Sequence, residues 1–272
     1  MPALQKKSAD KFIEIMKENT PLLKLISFVT MNDPVSSYPL LTLNRFKTRP
    51  VNRKEVATIQ NVSDVMINFN AKELVLPIVI PDSYIEDMQS SHEKVANYVA
   101  RIFGMDLQYL FLNGNVASTG TDDKSLLART MNGIVPQIRE SGKTVTMPAN
   151  ASELEKIKTL IANTPDIALA DPDLKILIGT SAYTSLWHSI ATNSADKALL
   201  LHNGKVIYRG KEVVEIPELE KIVLINPEHI VGGICRDITI EQQRYPEARG
   251  NKVVCSARVD FQVVTEAALM ED

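Results

Sequence analysis

Ser141-Gly142-Lys143-Thr144 carries the plainest chemical meaning in the chain, because Gly-Lys-Thr is how a phosphate-binding loop ends. Such a loop also needs a glycine at the position of Gln137 and a helix directly after the threonine, so that backbone N–H groups can cradle the phosphates. Neither is present, since Val145-Thr146-Met147-Pro148 follows. Gly179-Thr180-Ser181 leads from an apolar run into a helical pattern and could offer N–H groups to an anion. Without a glycine-rich cradle it reads as a helix cap. Continued to Ala182-Tyr183, the same stretch lacks the second glycine of a serine nucleophile elbow.

Metal and acid–base chemistry find no better support. His92, His188, His202 and His229 are scattered, with no helical pair at ligand spacing and no cysteine pair at zinc-knuckle spacing. His188, beside the single tryptophan Trp187, reads as packed or solvent-facing. The carboxylate pairs Asp122-Asp123, Glu153/Glu155 and Glu271-Asp272 fall in a loop, at a solvated helix start and at the chain end. General acid–base work needs a shielded pocket instead. The sequence therefore predicts no catalytic residue, no metal and no cofactor.

One concentration of charge remains. Arg45, Lys47, Arg49, Arg53 and Lys54 lie in a ten-residue stretch (45–54) that contains no acid. A single-stranded nucleic-acid site would interleave stacking aromatics, and only Phe46 is present. Two readings stay open: an arm whose charges meet acids on a neighbouring subunit, and a solvated loop tip. Strand-like runs at 38–43 and 62–69 flank the segment, which has too little apolar surface to pack on its own. It predicts a projecting hairpin.

The element that must organise the rest is residues 83–114. Met88, His92, Val95, Val99, Ile102, Asp106 and Leu110 recur three or four apart, and Ile85, Ala96, Phe103 and Leu107 widen the row into a stripe. Ser83 with Glu86 forms a capping box, and Asn113-Gly114 supplies a helix stop. Roughly thirty residues at about 1.5 Å each give a rod of about 45 Å. A short helix is predicted at 8–19, a strand or extended arm at 22–31, and an edge strand at 72–80, where Pro77 removes a donor. Residues 115–130 read as a loop. Helices follow at 150–163, with a Ser152/Glu155 capping box, and from 180 to about 192, around a strand at 174–178. Asn203-Gly204 predicts a hairpin between 199–202 and 205–208, short strands follow at 213–216 and 221–225, and 238–244 with 252–264 form an antiparallel pair.

Totals agree with a folded body. A chain of 272 residues with 44% hydrophobic and 23% charged residues is too apolar for disorder and has no run long enough to span a bilayer. The first twenty residues scatter their charges and do not read as a secretory signal, which predicts an intracellular chain. Cys235 and Cys255 read as buried reduced thiols. A net charge of −3 argues against bulk electrostatic binding of nucleic acid. The pattern predicts an α+β architecture: a long helix on a few long strands, an inserted α/β lobe and a projecting hairpin.

In this serial order the chain resembles the HK97-type major capsid proteins of tailed bacteriophages, over nearly its whole length. The likeness rests on a long excursion at 35–67, ELVLPIVIPDSYIED at 73–87 entering the long helix, FLNGN at 111–115 leaving it, and Gly133-Ile134 beyond. NPEHIVGGICRDITIEQ at 226–242 and ARVDFQVVTEAALM at 257–270 are similar to the returning strands. The resemblance implies an N-terminal arm at 1–34, an extended E-loop at 35–67, a β-rich P-domain at 68–135 with the spine helix at 83–113, an inserted A-domain at 136–225, and the second part of the P-domain at 226–272.

The function so implied is a shell protein that self-assembles, as hexamers and pentamers, into an icosahedral phage head around double-stranded DNA. Its DNA contacts would be non-specific and its place the virion, assembled in the bacterial cytoplasm without a membrane. A separate scaffolding protein, a portal and a decoration protein are the implied partners. Family members often carry a scaffolding extension before the arm. This sequence has barely twenty residues before its first strand, which implies a separate scaffold or a processed form. Some members crosslink an E-loop lysine to a neighbour's asparagine with help from a glutamate on a P-domain strand. Lys47 and Lys54 offer the amine, but Val253-Val254-Cys255-Ser256-Ala257 offers no carboxylate, so no crosslink is expected. The alternative is an encapsulin-like nanocompartment shell around a protein cargo, and a third reading is an α/β enzyme.

Overall fold

The computed structural model describes residues 6–42, 63–82, 91–148, 150–192, 199–202, 205–235, 239–264 and 268–272. Helix α1 (Lys6–Asn19) is followed by α2 (Pro21–Leu25), where a strand or extended arm is expected from sequence. The reason is local and tertiary together. Pro21 sits in the first turn, where its missing N–H costs nothing, and Leu22 and Leu23 are fully buried. Only Ser27–Met31 is extended, as β1.

Strands β2 (Val35–Thr42) and β3 (Ser63–Asn70) pair antiparallel and share no strand with the larger sheets. Ala71 alone separates β3 from β4 (Lys72–Pro81). The long helix α3 is described over Ser91–Asn113, about 35 Å of rod. Its expected start, with the Ser83/Glu86 capping box, lies outside the described residues. The buried face keeps most of the expected stripe. Val99, Ala100, Phe103, Leu107, Leu110 and Phe111 are buried, whereas Ile102 and Asp106 lie on its margin and Asn97 and Arg101 are exposed.

One short helix falls within the predicted loop at 115–130, and a second follows beyond it. The first, α4 (Asp123–Ala128), is capped by the Asp122 side chain accepting from the Ser125 N–H. The second, α5 (Ile134–Glu140), starts at Gly133, where a Cβ would meet the Phe111 carbonyl oxygen at 2.7 Å. Strand β5 (Thr144–Val145) leads into the lobe: α6 (Glu153–Ala162), α7 (Asp166–Leu169), β6 (Lys175–Ile178), α8 (Thr180–Thr192), β7 (Leu199–His202), β8 (Lys205–Tyr208), β9 (Lys211–Glu215) and β10 (Val223–Ile225). The predicted Ser152/Glu155 box closes in both directions at the start of α6. Strands β7 and β8 pair across Asn203-Gly204 as expected.

Strands β11 (Ile230–Cys235), β12 (Thr239–Tyr245) and β13 (Gly250–Val263) complete the first sheet, and β14 (Leu269–Glu271) ends the chain's strands. The fourteen residues of β13 are the sheet's axis. Strand β4 pairs along one side, and β11 and β12 share the other, with β1 parallel to β11 beyond. Pro77 thus sits on an edge strand, as its missing donor predicts. The second sheet runs β5-β14-β10-β6-β9-β8-β7. Strand β14, expected among the returning strands of the first sheet, belongs to this one instead. There its amides and carbonyls find partners on β5 and β10.

Over 6–31 the N-terminal residues pack on the body. Helix α1 crosses α3 where Gly104 leaves room for the Met16 backbone, and the buried Gln108 carbonyl accepts from the Leu22 N–H at 3.0 Å. Phe28 lies over Gly232, under the Lys17 ammonium. The main core joins α1, α2, α3, α5 and the first sheet, with Phe111 stacked on Phe261 at 4.4 Å between centroids. Such a pair adds about 0.5–1.5 kcal/mol beyond area burial. A second core lies under α6 and α8 in the lobe.

Candidate assembly interface

The hairpin β2–β3 is the feature with surface to spare. Its register alternates two faces. Ser36, Tyr38, Leu40 and Thr42 share one with Phe69, Ile67, Val65 and Ser63, and near the base this face is closed: Phe69 and Ile67 are buried with Met31, Val231, Cys235 and Val264. The other face carries Val35, 74% exposed, Met66, 55% exposed, and the Ser37–Asn68 hydrogen bond of 2.8 Å. A two-stranded hairpin with apolar groups in water is marginally stable by itself. The basic residues Arg45, Lys47, Arg49, Arg53 and Lys54, read from sequence as an intersubunit contact or a solvated tip, lie outside the described residues.

At the base the chain is held by a carboxylate that sequence reading passed over. Asp260, on β13, is 5% exposed. Its Oδ2 accepts from the Asn70 N–H at 2.6 Å and from Gln262 Nε2 at 3.3 Å, and its Oδ1 accepts from the Phe261 N–H at 2.7 Å. Nearby, Gln137 Nε2 donates to the carbonyls of Asn132 and Phe261, and its Oε1 accepts from the Val263 N–H. An acid between Val259 and Phe261 on a buried strand was the available signal.

The stretches with chemical appearance resolve into structure. In Ser141-Gly142-Lys143-Thr144, Gly142 takes φ +70° as α5 turns into β5, and Met270 N–H donates to the Lys143 carbonyl. This is a turn between a helix and a strand. At Gly179 a Cβ would stand 2.0 Å from the Leu219 carbonyl oxygen, so the glycine admits a crossing backbone. Among the described residues no group of three His, Cys, Asp or Glu is placed to hold a metal.

The titratable groups follow their surroundings. Hydrogen bonds from Ser125 hold Asp122 below the usual carboxylate range, and those from Ser152 do the same for Glu155. Burial raises Asp106, and the charge of Glu218 adds to it. Glu212 is lowered by its hydrogen bond from Lys205 and by Lys175. Both cysteines are buried, and burial pushes the Cys255 thiol up to about 12. Glu271, read from sequence as a chain-end acid, is 5% exposed. It accepts from the Ile222 N–H and pairs with Lys156, which also reaches Glu153. No helix among the described residues is long and apolar enough to cross a membrane.

Comparison with known proteins sets this geometry in a fold. No protein-family model matches the chain, and no curated protein matches it in sequence. Solved structures do. The chain is similar over 100% of its length, and 91% of the other's, to a chain of the satellite phage P4 procapsid that includes size determination (Sid) protein, at 12% identity and a TM-score of 0.69. It is similar over 97% of its length and 96% of the other's to the virus-like particle of Pyrococcus furiosus, at 11% identity and a TM-score of 0.58. The SrpI encapsulin of Synechococcus elongatus matches 93% of this chain and 88% of its own, at 11% identity and a TM-score of 0.56. The chain therefore has the mixed α+β fold of HK97-like capsid proteins, the fold its order of elements resembles.

Proposed function

We propose that the chain is the repeating subunit of an icosahedral shell, a major capsid protein that self-assembles into the head of a tailed phage around double-stranded DNA. The observation that carries this reading is the end-to-end likeness in fold to shell subunits. Physical features support it. A shell tile needs a rigid body and an extension that engages a neighbour, so that many weak contacts in a closed symmetry sum to a stable particle. The long helix on the first sheet supplies the body. The β2–β3 hairpin, whose faces continue beyond its buried base, supplies the extension.

In this reading residues 35–67 are the E-loop and 136–225 the A-domain, with β14 returned to it. Hexamers and pentamers of the chain form the lattice, with a scaffold, portal or decoration protein as possible additions in the host cytoplasm. The basic segment meets acidic groups on an adjacent subunit. Changing Arg45, Lys47, Arg49, Arg53 and Lys54 together to Glu should leave the subunit folded, with unchanged circular dichroism, and lower particle yield at least tenfold. Unchanged yield would reduce the segment to a solvated tip. The likeness to an encapsulin favours a second reading, a nanocompartment around a protein cargo. The contents of native particles, DNA or protein, separate the two.

A further inference from the structure

We propose that Asp260 is a positioning residue that fixes the angle of the β2–β3 hairpin on the body of the subunit. Strand β3 ends at Asn70 in one sheet and β4 begins at Lys72 in another, so the change of direction falls on Ala71 alone. A one-residue elbow has few bonds of its own. The Ala71 N–H donates to the Pro34 carbonyl at 2.8 Å, which ties the two hairpin strands to each other and leaves their joint direction open. Beside apolar packing, a directed contact crosses from hairpin to body: the Asn70 N–H donates to Asp260 Oδ2 at 2.6 Å.

The geometry suits a fixed joint. The carboxylate is buried, and its other oxygen is turned by the Phe261 N–H of its own strand, so the acceptor cannot swing to follow a moving hairpin. A hydrogen bond to a buried acceptor, shielded from water, is stronger than one at the surface. Packing works in the same place. Phe69 lies against Gly233, where a Cβ would stand 3.0 Å from its ring, and Gly233 is the β11 partner of Asp260. One side of the elbow is thus held by an aromatic ring seated on glycine, the other by a carboxylate. Apolar packing tolerates rotation better than a directed bond does, so Asp260 sets the angle and Phe69 the depth.

The consequence for a particle rests on the shell reading: subunits whose hairpins leave at varied angles would close with varied curvature. The joint itself is tested on single subunits. Spin labels at Met66→Cys on β3 and Lys252→Cys on β13 report the hairpin–body distance in labelled chains diluted with unlabelled ones. We expect one narrow distance distribution in the parent. Asp260→Asn, which keeps the shape but turns one acceptor into a donor, should shift or broaden it at least twofold. Glu271→Gln, a change at a buried acid remote from the elbow, should lower the melting temperature and leave the distribution narrow. Hydrogen exchange of the Asn70 amide in the parent adds a readout that needs no variant, and we expect protection equal to that of the β13 core. An Asp260→Asn distribution superimposable on the parent's, or an Asn70 amide that exchanges freely, would overturn the proposal. Neither result bears on whether the chain forms shells.

Discussion

Asp106 stands on the margin of the buried face of α3, with its pKa raised by burial and by the charge of Glu218. Both meet at the joint with the lobe, where Asn113 Nδ2 donates to the Glu218 carbonyl at 2.9 Å and Glu218 takes φ +67°. An acid raised in the folded state costs stability once ionised. That cost is absent below the unfolded value of 3.8, grows as pH rises toward the raised native value, and is complete above it. Asp106→Asn should therefore raise the melting temperature modestly at pH 7, and the gain should vanish below pH 3.8. Thermal unfolding of both chains across that range checks it. A gain equal at both ends would place the effect in packing instead of charge.

At the scale of elements, the docking of α1 and α2 on the long helix rests on a few contacts that can be removed singly. Gln108 is buried, and its carbonyl is the partner of the Leu22 N–H. Gln108→Met keeps the volume and leaves that buried donor without an acceptor, a loss of about 1–3 kcal/mol. Urea unfolding should show the loss, and hydrogen exchange should place it in 6–25. Uniform loosening of the whole chain would argue against a local role for Gln108.

The same elements show what the sequence carried and what it did not. Periodicity and turn chemistry were enough for α1, the Ser152/Glu155 cap of α6, the Asn203-Gly204 hairpin and the β12–β13 pair, because each is decided by neighbours in the chain. Helices α2, α4 and α5 were missed. They are short, and what holds them is tertiary or a single cap: the burial of Leu22 and Leu23, the Asp122 side chain, and the close approach that Gly133 permits. The stripe of α3 was legible in part: Val99, Phe103, Leu107 and Leu110 are buried as expected, while Ile102 and Asp106 are only half-buried. Asp106 and Ile102 fit the period, but α1 packs at Gly104, where Met16 lies 3.4 Å from the place of a Cβ. Asp260 and Glu271 were illegible because a buried acid is recognised by partners distant in sequence, and β14 could not be assigned to its sheet from three residues.

For the whole molecule, the account needs no covalent joining of subunits. On β13 the residues 253–257 are Val, Val, Cys, Ser and Ala, without the carboxylate that would assist an isopeptide bond from Lys47 or Lys54. Particles boiled in detergent and reductant should show this chain as a single band near 30.2 kDa on a denaturing gel. A ladder of multiples would contradict this and would require a catalytic carboxylate from elsewhere.

In the proposed shell, stability would come from interlocking contacts between subunits, which ties function to closure of the particle. The most direct measurement is electron microscopy of the purified chain, alone and with candidate scaffold, over a range of salt concentrations. The account predicts closed, uniform particles whose reconstructed subunits place residues 35–67 against a neighbouring copy. A monodisperse monomer or dimer that never assembles under any of those conditions would contradict it.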